Sequence, residues 1–316
     1  MATALIYHPI YLRHDTPPHH PERPSRVQAI LRKLQKTRLI DRLKVVEPDV
    51  RHASIENLCL VHSKDYIAHI EEACRTCEKT HFFKFDPDTF VSQDSYKAGL
   101  FAVAGALTAI DIVFNKDVDN AFCLVRPPGH HARKSQAMGF CLFNNVAIGA
   151  RYLQNKHNIK RILIIDWDVH HGNGTEEIFY EDPGVYYISL HQYPHYPGTG
   201  AKSDIGKGEG KGFNLNIPMP PGSGDKEYLD AFNNIIEPIA DDFKPEFILI
   251  SAGFDGHRDD PLSSINLTEI GFKKMTELVK EIGERYSKGR IVSVLEGGYN
   301  LFALGDSVNV HLEALI

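Results

Sequence analysis

Seven short runs along the chain are apolar at nearly every position: Leu5 to Tyr7, Ala121 to Val125, Arg161 to Ile165, Val185 to Leu190, Phe213 to Ile217, Phe247 to Ser251 and Ile291 to Leu295. Runs this short, rich in β-branched and aromatic residues and without strict alternation, read as strands buried on both faces. Between most of them the apolar residues recur at helical spacing, over Ser25 to Leu39, Lys64 to Cys74, Ser92 to Phe114, Asn144 to His157, Lys226 to Asp241 and Leu267 to Tyr286. Strands alternating with helices predict an α/β fold whose largely parallel central sheet is flanked by helices on both faces.

Composition bears on domain number and on partners. The chain has 316 residues, 42% of them apolar and 24% charged, with no linker-like stretch or block of like charge to divide it. One domain spanning residues 1–316 is therefore expected. A formal net charge of −6 offers no basic field for a nucleic-acid backbone or an anionic membrane. The most apolar long stretch, Ala98 to Ile110, is 13 residues, short of a bilayer's thickness. The opening MATALIYHPIYLRHD lacks the pattern of a signal or transit peptide, and the five cysteines are odd in number and scattered. A cytoplasmic protein is expected, with the Cys74-x-x-Cys77 pair read as incidental thiols.

In parallel sheets, ligands bind beyond the carboxyl ends of the strands, so the residues just after each apolar run are the place to look for a site. RPPGHHA comes after the second run and brings His130 and His131. DWDVHHGNG comes after the third, with Asp166, Asp168, His170 and His171. AGFDGHRDDP comes after the sixth, with Asp255, and EGGYN after the seventh, with Tyr299. Four strand ends thus carry histidine, aspartate and tyrosine to what should be one edge.

Spacing narrows the chemistry. Asp168 and His170 stand two apart, so in extended backbone they point the same way, with Asp166 in the same parity and His171 turned elsewhere. With Asp255 they form two carboxylates and one imidazole, a set that suits zinc or ferrous iron and leaves positions open for water and substrate. The adjacent His130 and His131 suit proton transfer beside such a metal. Tyr299, after Gly297 and Gly298, is placed to donate its hydroxyl to an oxyanion. Together these parts describe hydrolysis of an amide.

The segments HHPERPSRVQAI, RPPGHHA, GFCLFNNVAI, DWDVHHGNGT, SLHQYPHYPGTG, SAGFDGHRDDPL and LEGGYN resemble, in order and content, the motifs of zinc-dependent histone deacetylase-like amidohydrolases, from about residue 5 to the C-terminus. The resemblance implies the single-domain arginase-deacetylase fold. It makes Asp168, His170 and Asp255 the zinc ligands, His131 the general base and then acid, His130 its electrostatic partner, and Tyr299 the group that completes polarisation of the carbonyl. Asp166 would hold His130. It would also join main-chain groups of Asp168, His170, Ser189 and Leu190 around a structural potassium ion, with a second monovalent site near Phe179 and Val185. Phe140, preceded by Gly139, and Tyr196 would wall a narrow tunnel around a linear acyl-aminoalkyl chain. Asn173 stands where class I members carry an aspartate, and EGGYN also points to a class II-like, bacterial-type member. An amide there can orient His131 but cannot offset an imidazolium charge, which lowers the proton affinity of His131 relative to a carboxylate partner.

Substrate choice is read from the rim. Relatives that prefer acetylated polyamines place an acidic residue where this chain has Leu262, so the resemblance implies acyl-lysine in proteins or peptides, with acetylpolyamines or other small N-acyl amines as the alternative. Asp259 and Asp260 are near enough in sequence to supply charge instead. Asp86 and Asp88 of FKFDPDTF are candidates to bind substrate backbone amides from a rim loop, beside an equally good reading as turn formers. A manganese ureohydrolase would need more bridging carboxylates than DWDVHH supplies, and a binding module without catalysis fits poorly with every expected catalytic position filled.

Overall fold

Alternation of side chains along the buried strands divides the core in two. Ile162 and Ile164 face one hydrophobic cluster while Leu163 and Ile165 face the other, and Leu249 and Ile248 part in the same way. A sheet with two apolar faces must be covered on both, and the helices do this.

The computed structural model describes residues 2–77 and 82–316. The strands are β1 (Thr3–Ile6), β2 (Lys44–Val46), β3 (Phe83–Lys84), β4 (Phe90–Val91), β5 (Asn120–Cys123), β6 (Ile162–Asp166), β7 (Val185–Gln192), β8 (Asn214–Met219), β9 (Phe247–Ala252) and β10 (Ile291–Leu295). The helices are α1 (Ser25–Lys36), α2 (Ile55–Leu58), α3 (Lys64–Thr76), α4 (Ser95–Phe114), α5 (Asn145–Lys156), α6 (Asn173–Phe179), α7 (Asp225–Ala231), α8 (Glu237–Phe243), α9 (Glu269–Tyr286) and α10 (Leu301–Leu315). Eight strands form one sheet in the order β2-β1-β5-β10-β9-β6-β7-β8, every neighbouring pair parallel. β3 and β4 form a separate antiparallel pair.

Helices α3, α4 and α5 cover one face of the sheet, and α1, α7, α9 and α10 the other. The 20-residue α4 outruns the 13-residue apolar stretch, and it is long and apolar enough to cross a membrane. Its burial in the core, 67% of that window, accounts for the composition. The expected helix from Lys226 to Asp241 is instead three segments: α7, a π turn over Phe232–Ile236, and α8 with Pro238 in its first turn. Proline has no N–H to continue an i→i−4 ladder, and a widened turn just before it absorbs the break.

The order of strands fixes the site. β5, β10, β9 and β6 are consecutive neighbours at the middle of the sheet, so the four chemistry-bearing segments leave the same edge side by side. The Asn300 side chain caps the N-terminus of α10 by accepting from the N–H groups of Phe302 and Ala303, so the helix starts two residues after Tyr299 and leaves it in the loop.

Candidate metal centre and catalytic pocket

Ligand atoms of Asp168, His170 and Asp255 all lie within 4.8 Å of one another, and all three residues are buried. His170 Nδ1 is 3.1 Å from Asp168 Oδ1 and 3.2 Å from Asp255 Oδ2. Main-chain donors aim the carboxylates: Gly297 N–H donates to Asp168 Oδ2 at 2.8 Å, and Val169 N–H to Asp255 Oδ1 at 3.0 Å. A Cβ on Gly297 would lie 2.1 Å from Asp255 Oδ2 and 2.6 Å from Asp168 Oδ2. Only glycine lets the β10 loop close over these oxygens.

Burial alone would lower the pKa of His170, but its hydrogen bonds to Asp168 and Asp255 outweigh that and push it up to about 10. Asp168 is held below the usual carboxylate range by His130 and His170 despite its burial, while burial and the charge of Asp168 raise Asp255. Two buried carboxylates against one imidazole need a cation, and the field that holds a proton there would hold a divalent metal. The donor set fits a four-coordinate zinc with an open position.

His130 and His131 pack ring to ring, centroids 4.0 Å apart. His130 Nδ1 lies 3.0 Å from Asp166 Oδ2, which also accepts from the Tyr187 hydroxyl at 3.0 Å. Burial opposes a charge on His130, but Asp168 and Asp166 prevail and raise it to about 10, which favours its imidazolium form. His131 goes the other way: burial first, then the charges of His130 and His170, hold it well below the ordinary histidine value. Its Nδ1 is 2.8 Å from Asn173 Oδ1. Gly139 takes φ +56, and a Cβ there would stand 2.3 Å from His131 Cδ2. Burial raises the Tyr299 hydroxyl well above 10, so it is a donor.

These groups meet at a pocket of about 400 Å³ lined by His131, His170 and Tyr299 among others. Phe140 and Tyr196 form its walls, with Phe90, His20 and His195. The Phe140 and Tyr299 rings meet edge-on at 5.8 Å. A larger groove, about 1010 Å³, runs past Pro197 and reaches Asn173 and Met138. It contains none of the three metal-ligand candidates, so the smaller pocket is where the chemistry can occur.

At the rim, Leu262 lines the pocket, and its carbonyl accepts from His195 Nε2 at 2.9 Å. Asp86 and Asp88 are placed differently. Asp86 Oδ1 accepts from the N–H groups of Asp88 and Thr89 and so builds the turn, whereas Asp88 lines the pocket. Asp259 is exposed, and Asp260 turns inward to accept from the N–H groups of Leu262, Tyr299 and Asn300. Neither lines the pocket. Ser189 and Leu190 lie buried near the end of β7 beside β6. Phe179 and Val185 are also buried, at the end of α6 and the start of β7.

Sequence reading missed His195, whose ring stacks on His170 at 5.0 Å and 19°, although it lies inside a quoted motif. It also missed Arg26, Glu296 and Met138. Arg26 is a buried arginine in HHPERPSRVQAI, and its helical spacing gave no sign that it faces Tyr299.

Fold and site together define an α/β protein with a candidate metal centre at the carboxyl edge of its parallel sheet, and the comparisons make the class specific. The chain matches the histone deacetylase domain over residues 20–315, and it belongs to that family. It is 41% identical over 301 residues to a probable deacetylase of Archaeoglobus fulgidus, covering 95% of this chain and 82% of that one. It is 42% identical over 300 residues to the chloroplastic histone deacetylase 10 of Oryza sativa, covering 92% and 68%. The crystal structure of the HDA15 HD domain superimposes with a TM-score of 0.94 at 36% identity, covering 99% of this chain and 88% of that one.

Proposed function

We propose that this protein is a zinc-dependent deacylase that hydrolyses the amide of N-acyl-lysine side chains in proteins or peptides. The observation that carries the reading is the placement of His131 and Tyr299 on one narrow, aromatic-walled pocket that also exposes His170 of the Asp168, His170 and Asp255 set. A zinc ion held by those three residues would supply Lewis acidity to the acyl carbonyl and to the attacking water. Ferrous iron suits the same donors.

His131, neutral and with Nδ1 engaged by Asn173, takes the proton of the attacking water at Nε2 and delivers it to the leaving nitrogen. His130, protonated against Asp166, keeps the proton affinity of His131 low, which favours the second transfer. The Tyr299 hydroxyl donates to the acyl oxygen as negative charge develops there. Phe140 and Tyr196 flank the linear chain and exclude water. The products are a free amine and a carboxylate, acetate for an acetyl group. A structural potassium ion at Asp166, Asp168, His170, Ser189 and Leu190 belongs to this reading, supported by the burial of all five at adjoining ends of β6 and β7.

A second reading, hydrolysis of acetylpolyamines, is favoured by one observation: Asp88 lines the pocket and could pair with a secondary ammonium. The test is turnover of metal-stripped, zinc-loaded and iron-loaded protein on acetyl-lysine peptides and on N-acetylputrescine and N-acetylspermidine, with a hydroxamate control. Hydroxamate-sensitive cleavage favouring peptides is expected. Preference for the polyamines would move the assignment to the second reading, and no turnover with any metal would end both.

A further inference from the structure

His131 can act as a base only if its proton sits on Nδ1 and leaves Nε2 free, and the group that faces Nδ1 decides this. That group is the side-chain amide of Asn173, whose two ends are nearly the same shape and opposite in polarity. With Oδ1 towards His131, Nδ1 must carry the hydrogen. With Nδ2 towards His131, Nδ1 must accept, the hydrogen moves to Nε2, and the base is lost. Something has to choose between the two ends.

The other end of the amide has one protein partner among the described residues: Asn173 Nδ2 donates to Met138 Sδ at 3.4 Å. A thioether sulfur accepts weakly and has no hydrogen to give. It can therefore meet the NH₂ end of the amide and not the carbonyl end. Met138 is only half-buried, and it lines the large groove together with Asn173. Water reaching Asn173 from that groove could accept from the NH₂ end or donate to the carbonyl end, and so would select neither. The geometry points to Met138 as a positioning residue: its sulfur, acting only as an acceptor, fixes the orientation of the Asn173 amide and through it the tautomer of His131. A carboxylate at position 173 would not need this device, since both its ends are acceptors.

The inference rests on His131 being the base proposed above, and the test separates the two. Zinc-loaded wild type, Met138→Leu, Asn173→Asp and the double variant are compared in kcat and KM on an acetyl-lysine peptide and on N-acetylputrescine. Met138→Leu keeps volume and removes the acceptor, and it is expected to lower kcat about fivefold with KM unchanged, the worth of one weak neutral hydrogen bond. In the Asn173→Asp background the same change is expected to cost less than about 1.5-fold, because the coupling is gone. An equal loss in both backgrounds would mean that Met138 merely packs, and an unchanged kcat in the single variant would also overturn the inference. Long-range proton–nitrogen NMR of the histidine rings reads the tautomer without turnover. His131 is expected to be protonated at Nδ1 in the wild type and at a mixture of Nδ1 and Nε2 in Met138→Leu. Identical spectra would refute the inference whether or not the protein is active, whereas an inactive wild type showing the expected spectra would count against the deacylase reading alone.

Discussion

The guanidinium carbon of Arg26 lies 4.9 Å from the centre of the Tyr299 ring. From that position Nε donates to Gly298 O at 2.6 Å and a second nitrogen donates to Glu296 O, so one side chain from α1 holds the whole β10 loop that carries the tyrosine. Glu22 binds the remaining nitrogen and also pairs with Arg126. Removing the guanidinium should therefore act twice. Arg26→Met should cost about 3 kcal/mol of stability, because a buried carboxylate loses a partner. Arg26→Lys keeps the charge but not the planar fork that spans both carbonyls, and it should fold yet lose about tenfold in kcat. Urea unfolding and steady-state kinetics check the two parts, and an unchanged kcat in the lysine variant would show that the loop holds Tyr299 without this clamp.

Tyr299→Phe should lower kcat more than ~100-fold, the usual worth of one oxyanion donor, while zinc content by atomic absorption stays at the wild-type level. A variant that still turns over normally would remove the hydroxyl from the mechanism.

His170→Ala should lose stoichiometric zinc and activity together. Metal addition to the wild-type apoprotein should raise the melting temperature, since a ligand that binds only the folded state stabilises it by mass action. Relief of the repulsion between Asp168 and Asp255 is part of that gain. Zinc retained at full occupancy in the alanine variant would break the ligand assignment.

Asp88 gives the site a pH dependence. Burial first, then a hydrogen bond that its protonated form donates to Asp86, pushes its carboxyl up to about 6. A folded-state value above the unfolded one means that ionising Asp88 costs stability as pH rises from the unfolded carboxylate range to about 6. Binding runs the opposite way: a cationic substrate gains its partner only above that value. KM for N-acetylspermidine should fall as pH passes upward through about 6, and Asp88→Asn should flatten that fall. A pH profile unaltered by the substitution would place Asp88 outside substrate binding.

Leu262→Glu should shift the ratio of polyamine to peptide turnover towards polyamines, by placing a carboxylate on the pocket wall. An unchanged ratio would show that selection lies elsewhere on the rim.

The central strands were legible because burial on both faces leaves a nearly continuous apolar run, as in ILII of β6. The edge strand β2 was not, since two of its three residues are exposed and carry no such signal. Helix α10 escaped notice because it is buried on several sides against α1 and α9, which blurs the 3.6-residue rhythm that betrays an amphipathic helix. Strand ends followed by clustered histidine and aspartate pointed to the candidate centre, since parity and spacing are local properties. Contacts such as Arg26 with Tyr299, or Asp260 with the same loop, join residues far apart in the chain, and no local pattern announces them.

β10 pairs with β5 on one side and β9 on the other, so a strand at residues 291–295 fills a slot at the middle of a sheet whose other members precede it in the chain. Until it is seated, Gly297 is not against the carboxylates and Tyr299 is not in the pocket. A chain emerging from the ribosome therefore carries no working centre at any intermediate length short of β10. Catalytic competence arrives in one step, with the insertion that also joins the two halves of the sheet, and the onset of activity during synthesis would time that insertion.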